Sequence, residues 1–290
     1  VKNPFRRQSS GGGPAGGGRR TRRAVVVRTE RVTPETVRVV LGGEDLADLR
    51  AEHADSYVKV VLPAPGTALE EPLDVAAVRA SRPREEWPVV RTYTVRAVDA
   101  ERGEVTIDFV HHGEEGVAGP WAAAARPGDV VHLMGPGGAY SPDPAAPWHL
   151  MVGDASALPA IAASLERVPA GARTVAVVQV HGPAEEQPLP CPGELRVHWQ
   201  HSAAPDPGGL LELLRSLELP AGAPHAFVHG EADCVRAVRR WVRTDLGVPR
   251  ELLSASGYWR RGRTEDGWRG EKQQWNAAVE SDDAAVASPA

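Results

Sequence analysis

Arg91-Thr92-Tyr93-Thr94 brings a guanidinium, a phenol and two hydroxyls together within four residues. Along a strand, alternation sends Arg91, Tyr93 and Val95 to one face and Thr92, Thr94 and Arg96 to the other. A guanidinium pairs bidentately with a phosphate, a phenol ring lies against a flat heteroaromatic such as isoalloxazine, and a threonine hydroxyl can hydrogen-bond a ring that gains electron density. Alone, the segment also reads as an exposed strand with a half-buried tyrosine.

A second segment, His111-His112-Gly113-Glu114-Glu115-Gly116-Val117-Ala118-Gly119-Pro120-Trp121-Ala122, follows a β-type run that ends at Val110. Its closely spaced glycines let backbone N–H groups approach a pyrophosphate, and Trp121 opens a helix whose positive end could face one. The paired histidines fall on alternate faces and lack a further ligand at helical spacing, so no metal site is expected. A third segment, Leu150-Met151-Val152-Gly153-Asp154-Ala155-Ser156-Ala157-Leu158-Pro159, reads as a buried strand, a turn with two cap-capable residues, and a helix with proline in its first turn. The dinucleotide fingerprint G-x-G-x-x-G is absent, so a nicotinamide nucleotide must be held in another way. Near the end, Ser256-Gly257-Tyr258-Trp259-Arg260-Arg261-Gly262 joins two aromatic rings to paired guanidinium groups.

The elements that must position these residues fall into two textures. Short β-type runs cover 24–28, 36–41, 57–62, 91–98, 104–110 and 129–134, with no long helix between them, which predicts an antiparallel six-stranded β-barrel. After Pro147 strands alternate with helical patterns: strands at 148–152, 174–180, 195–199 and 226–229, helices at 157–167, 210–217 and 234–246. That order predicts a parallel α/β domain of nucleotide-binding type. The fold class is thus two-domain, β followed by α/β. The expected bounds are a flexible basic leader over 1–23, the barrel over 24–141, the α/β domain over 147–263 and a C-terminal tail over 264–290, fraying from about residue 277.

With 290 residues, 42% of them hydrophobic, the chain can bury two cores. A net charge of -5 argues against nucleic acid as partner, and the arginine cluster over 19–23 reads as a solvated tail. Cys191 and Cys234 are the only cysteines and form no Cys-x-x-Cys pair, so this chain alone builds no four-cysteine iron–sulfur cluster, and any electron carrier is organic. No run of about 18 apolar residues could span a bilayer, and residence in the cytoplasm as a monomer is the expectation.

In this order and spacing, RTYTVR, HGEEGVAGPWA, GDASALPAI and GYWRRG resemble the siderophore-interacting protein family of FAD-dependent ferric-siderophore reductases, over roughly residues 21 to 263. The resemblance implies FAD on the barrel, with Arg91 near phosphate, Tyr93 stacked on the isoalloxazine, and Thr94 and Val95 completing the contact. It places His112, Gly113, Ala118, Gly119 and Trp121 on a second FAD loop, and Asp154, Ser156 and Ala157 at the turn toward the nicotinamide nucleotide. It also puts Trp259, Arg260 and Arg261, with Arg263 as a weaker member, on the approach of an anionic ferric siderophore. Against the family patterns HGxxGPASxWA and GDETALPAI, Val117 replaces proline, Gly119 serine, Ala155 glutamate and Ser156 threonine.

The implied reaction moves electrons from NADH or NADPH through FAD to the ferric siderophore, whose hard oxygen donors bind Fe(II) more weakly than Fe(III). Iron is substrate there, and no acid–base residue is required. Ferredoxin is a further candidate donor. A general flavin or ferredoxin-type reductase and a non-enzymatic siderophore-binding flavoprotein are the alternatives.

Overall fold

Val, Leu and Ile at every second position build the first sheet of the computed structural model, which describes residues 21–287. Its strands are β1 (Thr21–Thr33), β2 (Thr36–Gly42), β3 (Tyr57–Leu62), β4 (Val89–Thr94), β5 (Ala97–Asp99), β6 (Glu104–Val110) and β7 (Val130–Gly137). They pair antiparallel in the order β4-β3-β7-β1-β2-β6-β5. Seven strands stand where six were predicted, because the run over 91–98 breaks after Thr94 and resumes as β5. The sheet curls like a barrel, yet β4 and β6 share no ladder and leave an open seam.

Val58 and Val60 of β3, Val105, Ile107 and Phe109 of β6, and Leu133 of β7 fill the barrel with no exposed surface. The imperfect alternation of the β3 run has a simple cause. Val61 is buried as well, on the other face, against Val75 and Val90 beneath α1 (Val75–Ser81).

The second sheet is parallel: β8 (His149–Asp154), β9 (Arg173–Val180), β10 (Glu194–His201), β11 (His225–Glu231) and β12 (Leu253–Trp259), in the order β10-β9-β8-β11-β12. It is covered on one face by α3 (Leu158–Leu165) and on the other by α4 (Pro207–Ser216) and α5 (Ala232–Thr244). Strand β9 is buried on both faces, so its sequence is a continuous apolar run, as expected for a central parallel strand. The strand order reverses between β8 and β11, which opens a crevice at their carboxyl ends.

Both chain ends differ from expectation. Residues 1–20 of the expected leader lie outside the described residues, but Thr21, Arg22 and Arg23 already belong to β1, paired with Met134, Leu133 and His132 of β7. Arg22 is held by Asp48 and Arg23 by Glu71. At the other end, the stretch expected as a tail forms α6 (Glu265–Ala287). Trp268, Trp275 and Val279 line one face of that helix and are buried in the α/β core, with the Trp268 indole N–H on the Gly257 carbonyl at 3.3 Å.

The two units meet through polar contacts that fill their own valences. Buried Glu185 accepts hydrogen bonds from Thr33 Oγ1 (2.5 Å) and the Glu35 N–H (3.0 Å), Arg96 pairs with Glu166 at 2.6 Å, and Arg167 donates to the Ala51 carbonyl at 2.7 Å.

Two buried histidines make this fold sensitive to acid. Neither ring nitrogen of fully buried His149 has a hydrogen-bond partner, and burial, reinforced by His225, lowers its pKa to about 4. Burial likewise lowers His229 to about 3, despite its 2.9 Å contact with Ser254 Oγ. Both fold as neutral rings, whereas the unfolded chain takes up these protons near 6.5. Their stabilisation is complete above that pH and is lost as the pH falls toward 4, by about 1.4 kcal/mol per pH unit for each ring. Urea unfolding is therefore expected to give a free energy roughly 3–5 kcal/mol lower at pH about 4.5 than at neutrality, with His149→Leu removing about half of that fall. An unchanged slope in the variant would contradict the assignment.

Candidate functional site

The open seam between β4 and β6 collects the residues singled out from the sequence. Tyr93 and Arg91 stand opposite Val58 and Val60 of β3, and so share the inward face. The Tyr93 ring lies 4.3 Å from that of Phe109, which in turn lies 5.5 Å from Trp121 on α2 (Ala118–Ala124). Strand β4, the end of β6 and the glycine segment are thereby joined through three aromatic rings. Burial pushes the Tyr93 phenol up, so it stays protonated at neutral pH.

The polar groups at the seam are unevenly satisfied. Arg91 Nε is 3.1 Å from Glu265 Oε2, and Nη1 donates to the Val90 carbonyl at 3.1 Å, while Nη2 has no hydrogen-bond partner among the described residues. Thr94 is buried, and its hydroxyl has no hydrogen-bond partner among the described residues. Gly113 and Gly116 have φ of +58° and +78°, where a side chain is strained, and open space lies where a Cβ would stand. Val117 provides no side-chain cap for α2, which leaves the Ala118 and Gly119 N–H groups uncapped.

These features fit FAD: a guanidinium edge and uncapped N–H groups for phosphate, an aromatic wall for the ring, and a hydroxyl at the end of the same strand. Val95 does not belong to this set. Its side chain is barrel core and its N–H is used by the Ser56 carbonyl at 2.7 Å. Ala118 is likewise buried core, and the His112 side chain turns toward Glu35, 3.5 Å away.

Gly119 has a packing role. A Cβ there would stand 2.8 Å from the Val110 carbonyl oxygen and 3.3 Å from His111 Cα, so the family's serine would force α2 away from β6. Gly119→Ala is expected to destabilise the protein by about 1–3 kcal/mol, measured by denaturant unfolding. An unchanged midpoint would show that α2 moves freely.

At the carboxyl ends of β8 and β11, Asp154 is an organiser. Its Oδ1 accepts from the Ser156 N–H (2.9 Å) and Ser156 Oγ (2.5 Å), and its Oδ2 from the Glu231 N–H (2.7 Å) and the Trp259 indole (2.8 Å). Asp154 and Ser156 are thus spent on each other, and Ala157 is fully buried. What the turn delivers to the crevice is Trp259, more than a third exposed and pinned in place. Glu231, which sequence reasoning missed, caps α5 through the Asp233 and Cys234 N–H groups (2.7 and 3.1 Å) and accepts from the Arg261 N–H at 3.2 Å.

The arginines near Trp259 are not equivalent. Arg260 sits between Asp233 (3.7 Å) and Glu271 (3.5 Å), and Arg263 is paired with Glu271 at 2.6 Å. Among the described residues Arg261 alone of the three has no carboxylate on its guanidinium. Helix α6 supplies further site groups that the tail reading overlooked: Glu265 on Arg91, Arg269 on the Val90 carbonyl (3.2 Å), and Lys272, whose pKa burial lowers while Glu265 raises it. The only available signal was the spacing of Trp268 and Trp275 within polar surroundings. Among the described residues no group of three His, Cys, Asp or Glu could hold a metal ion, and no helix is long and apolar enough to cross a membrane.

Comparison with known proteins agrees with this geometry. Residues 25–140 match the family model of the siderophore-interacting FAD-binding domain, and residues 146–262 that of the siderophore-interacting protein. An uncharacterized protein of Mycobacterium tuberculosis is 43% identical over 270 residues, covering 86% of this chain and 93% of its own. The ferric vibriobactin reductase ViuB of Vibrio cholerae is 34% identical over 255 residues, covering 85% of this chain and 92% of its own. The crystal structure of the siderophore-interacting protein SipS from Aeromonas hydrophila superposes with a TM-score of 0.76 at 31% identity, covering 90% of this chain and 100% of that one. With both of its units matched in order and its seam built from the residues that carried the resemblance, the chain belongs to the siderophore-interacting protein family.

Proposed function

We infer that this protein is an FAD-dependent reductase that passes electrons from NAD(P)H to ferric siderophores. The observation that carries the reading is the seam itself, where Arg91 and Tyr93 share one strand face and the Tyr93 ring joins β4 through Phe109 to Trp121 of the glycine segment. Kinship to a ferric vibriobactin reductase and to an NADPH-dependent ferric-chelate reductase of Escherichia coli supports the chemistry.

Arg91 and the uncapped N–H groups of α2 would hold phosphate, Tyr93 would offer its ring to the isoalloxazine, and the Thr94 hydroxyl would offer it a hydrogen bond. FAD, when bound, supplies the conversion of a two-electron hydride into single electrons for iron. The residues themselves bind and orient, and no proton transfer by a side chain is needed. Trp259 and Arg261 stand where an anionic ferric chelate approaches, with Arg260 and Arg263 held by carboxylates as a second rank. Release of Fe(II) follows from its weaker affinity for hard oxygen donors. We place the reaction in the cytoplasm, with the protein acting as a monomer.

Anaerobic addition of NADH, NADPH or reduced ferredoxin to the flavin-loaded protein tests this. Bleaching of the visible flavin absorbance by one donor is expected, with recovery on adding a ferric siderophore and trapping of Fe(II) by a chromogenic chelator. Absorbance unmoved by all three donors would overturn the reading.

A further inference from the structure

Helix α6 crosses from the α/β core to the barrel, and its first turns close on the strand that carries Arg91. Trp268 and Trp275 fasten the helix to the α/β unit, their rings 5.7 Å apart, while Arg269 bonds the Val90 carbonyl of β4. Ahead of these anchors, at the start of the helix, Glu265 meets Arg91. A carboxylate beside a phosphate-binding guanidinium would ordinarily compete with the ligand. The contact geometry says otherwise here.

Arginine presents five N–H donors in a rigid planar fork. Glu265 Oε2 forms an ion pair with Nε at 3.1 Å and the Val90 carbonyl accepts from Nη1, so two contacts restrain the fork, and among the described residues Nη2 has no hydrogen-bond partner. Glu265 is itself fixed from its other oxygen, which accepts from Arg269 at 3.1 Å. The carboxylate is partly buried; burial pushes its pKa up, and Arg91 and Arg269 pull it back. Asp266, more exposed and 3.8 Å from Nη1, adds only a loose contact. A guanidinium oriented in advance loses less freedom when a phosphate arrives.

We propose that Glu265 is a positioning residue for flavin binding, which holds the Arg91 fork so that its free edge meets the FAD phosphate. The proposal rests on the FAD reading above and makes α6 part of the cofactor site. It also assigns the contact a sign, since removing the carboxylate must weaken FAD and not tighten it.

The test is fluorescence titration of the flavin-stripped full chain with FAD, FMN and riboflavin, for wild type, Glu265→Gln, Arg91→Ala and the double variant. In Glu265→Gln the dissociation constants for FAD and FMN are expected to rise about fivefold or more, while that for riboflavin, which has no phosphate, stays within about twofold. On the Arg91→Ala background the second substitution is expected to add no further loss for FAD. An unchanged or tighter FAD affinity in Glu265→Gln, an equal loss for riboflavin, or a full additional loss in the double variant would overturn the proposal. Failure of wild type to bind any of the three flavins would instead strike the FAD reading itself.

Discussion

Replacing Arg91 by alanine is expected to raise the FAD dissociation constant by about a hundredfold, so that the purified variant carries little flavin absorbance. The expectation follows from what the side chain has left to give. Nε is ion-paired with Glu265 and Nη1 donates to the Val90 carbonyl, which leaves Nη2 without a hydrogen-bond partner among the described residues, on the strand face that also carries Tyr93. No other described arginine shares this strand face, so nothing replaces the lost charge-assisted bonds. Arg91→Lys should recover little, because a point charge cannot bond Glu265, Val90 and a phosphate in one plane. The flavin-to-protein ratio after purification, followed by titration, reads the effect directly. A variant with full FAD occupancy would remove Arg91 from the site.

The second large effect concerns stability. Trp268→Ala is expected to cost about 3–5 kcal/mol of unfolding free energy, the range for losing a buried aromatic side chain. Trp268 is 2% exposed, packs edge-on against Trp275, and contacts Gly257 so closely that a Cβ there would lie 2.9 Å from the indole. The same variant should lose FAD, because undocking α6 withdraws Glu265 and Arg269 from β4. Denaturant unfolding and flavin retention measured on one sample separate the two consequences. A change below about 1 kcal/mol would mean that the helix contributes little to the core.

The contrast between these two residues bears on how much the sequence discloses. Arg91 stands out in one dimension because a charged group and a tyrosine at alternate positions of a β-type run suggest a ligand. Trp268 and Glu265 do not, because their surroundings are polar and mixed, and a helix without a clear apolar stripe reads as a tail. Docking of three residues, Trp268, Trp275 and Val279, supplies what the local pattern lacks. Asp154 shows the reverse case. Its position at a turn marked it for a ligand, whereas its two oxygens accept hydrogen bonds from Ser156, Glu231 and Trp259, two of them more than 70 residues away.

By itself, the sequence determined the order of the two units, most strands of the barrel, the parallel sheet and the segments that carry the family resemblance. These follow from periodicity, glycine placement and side-chain chemistry, which act over a few residues. Only the tertiary structure decided which groups at those segments remain available. It withdrew Val95 into the core and spent Asp154 on Ser156, Glu231 and Trp259. It paired Arg260 and Arg263 with Asp233 and Glu271, left Arg261 without a carboxylate among the described residues, and brought Glu265 to Arg91 across 174 residues of chain. The physical reason is that a donor's availability depends on every acceptor within about 3.5 Å, and those acceptors come from parts of the chain whose separation no local pattern records.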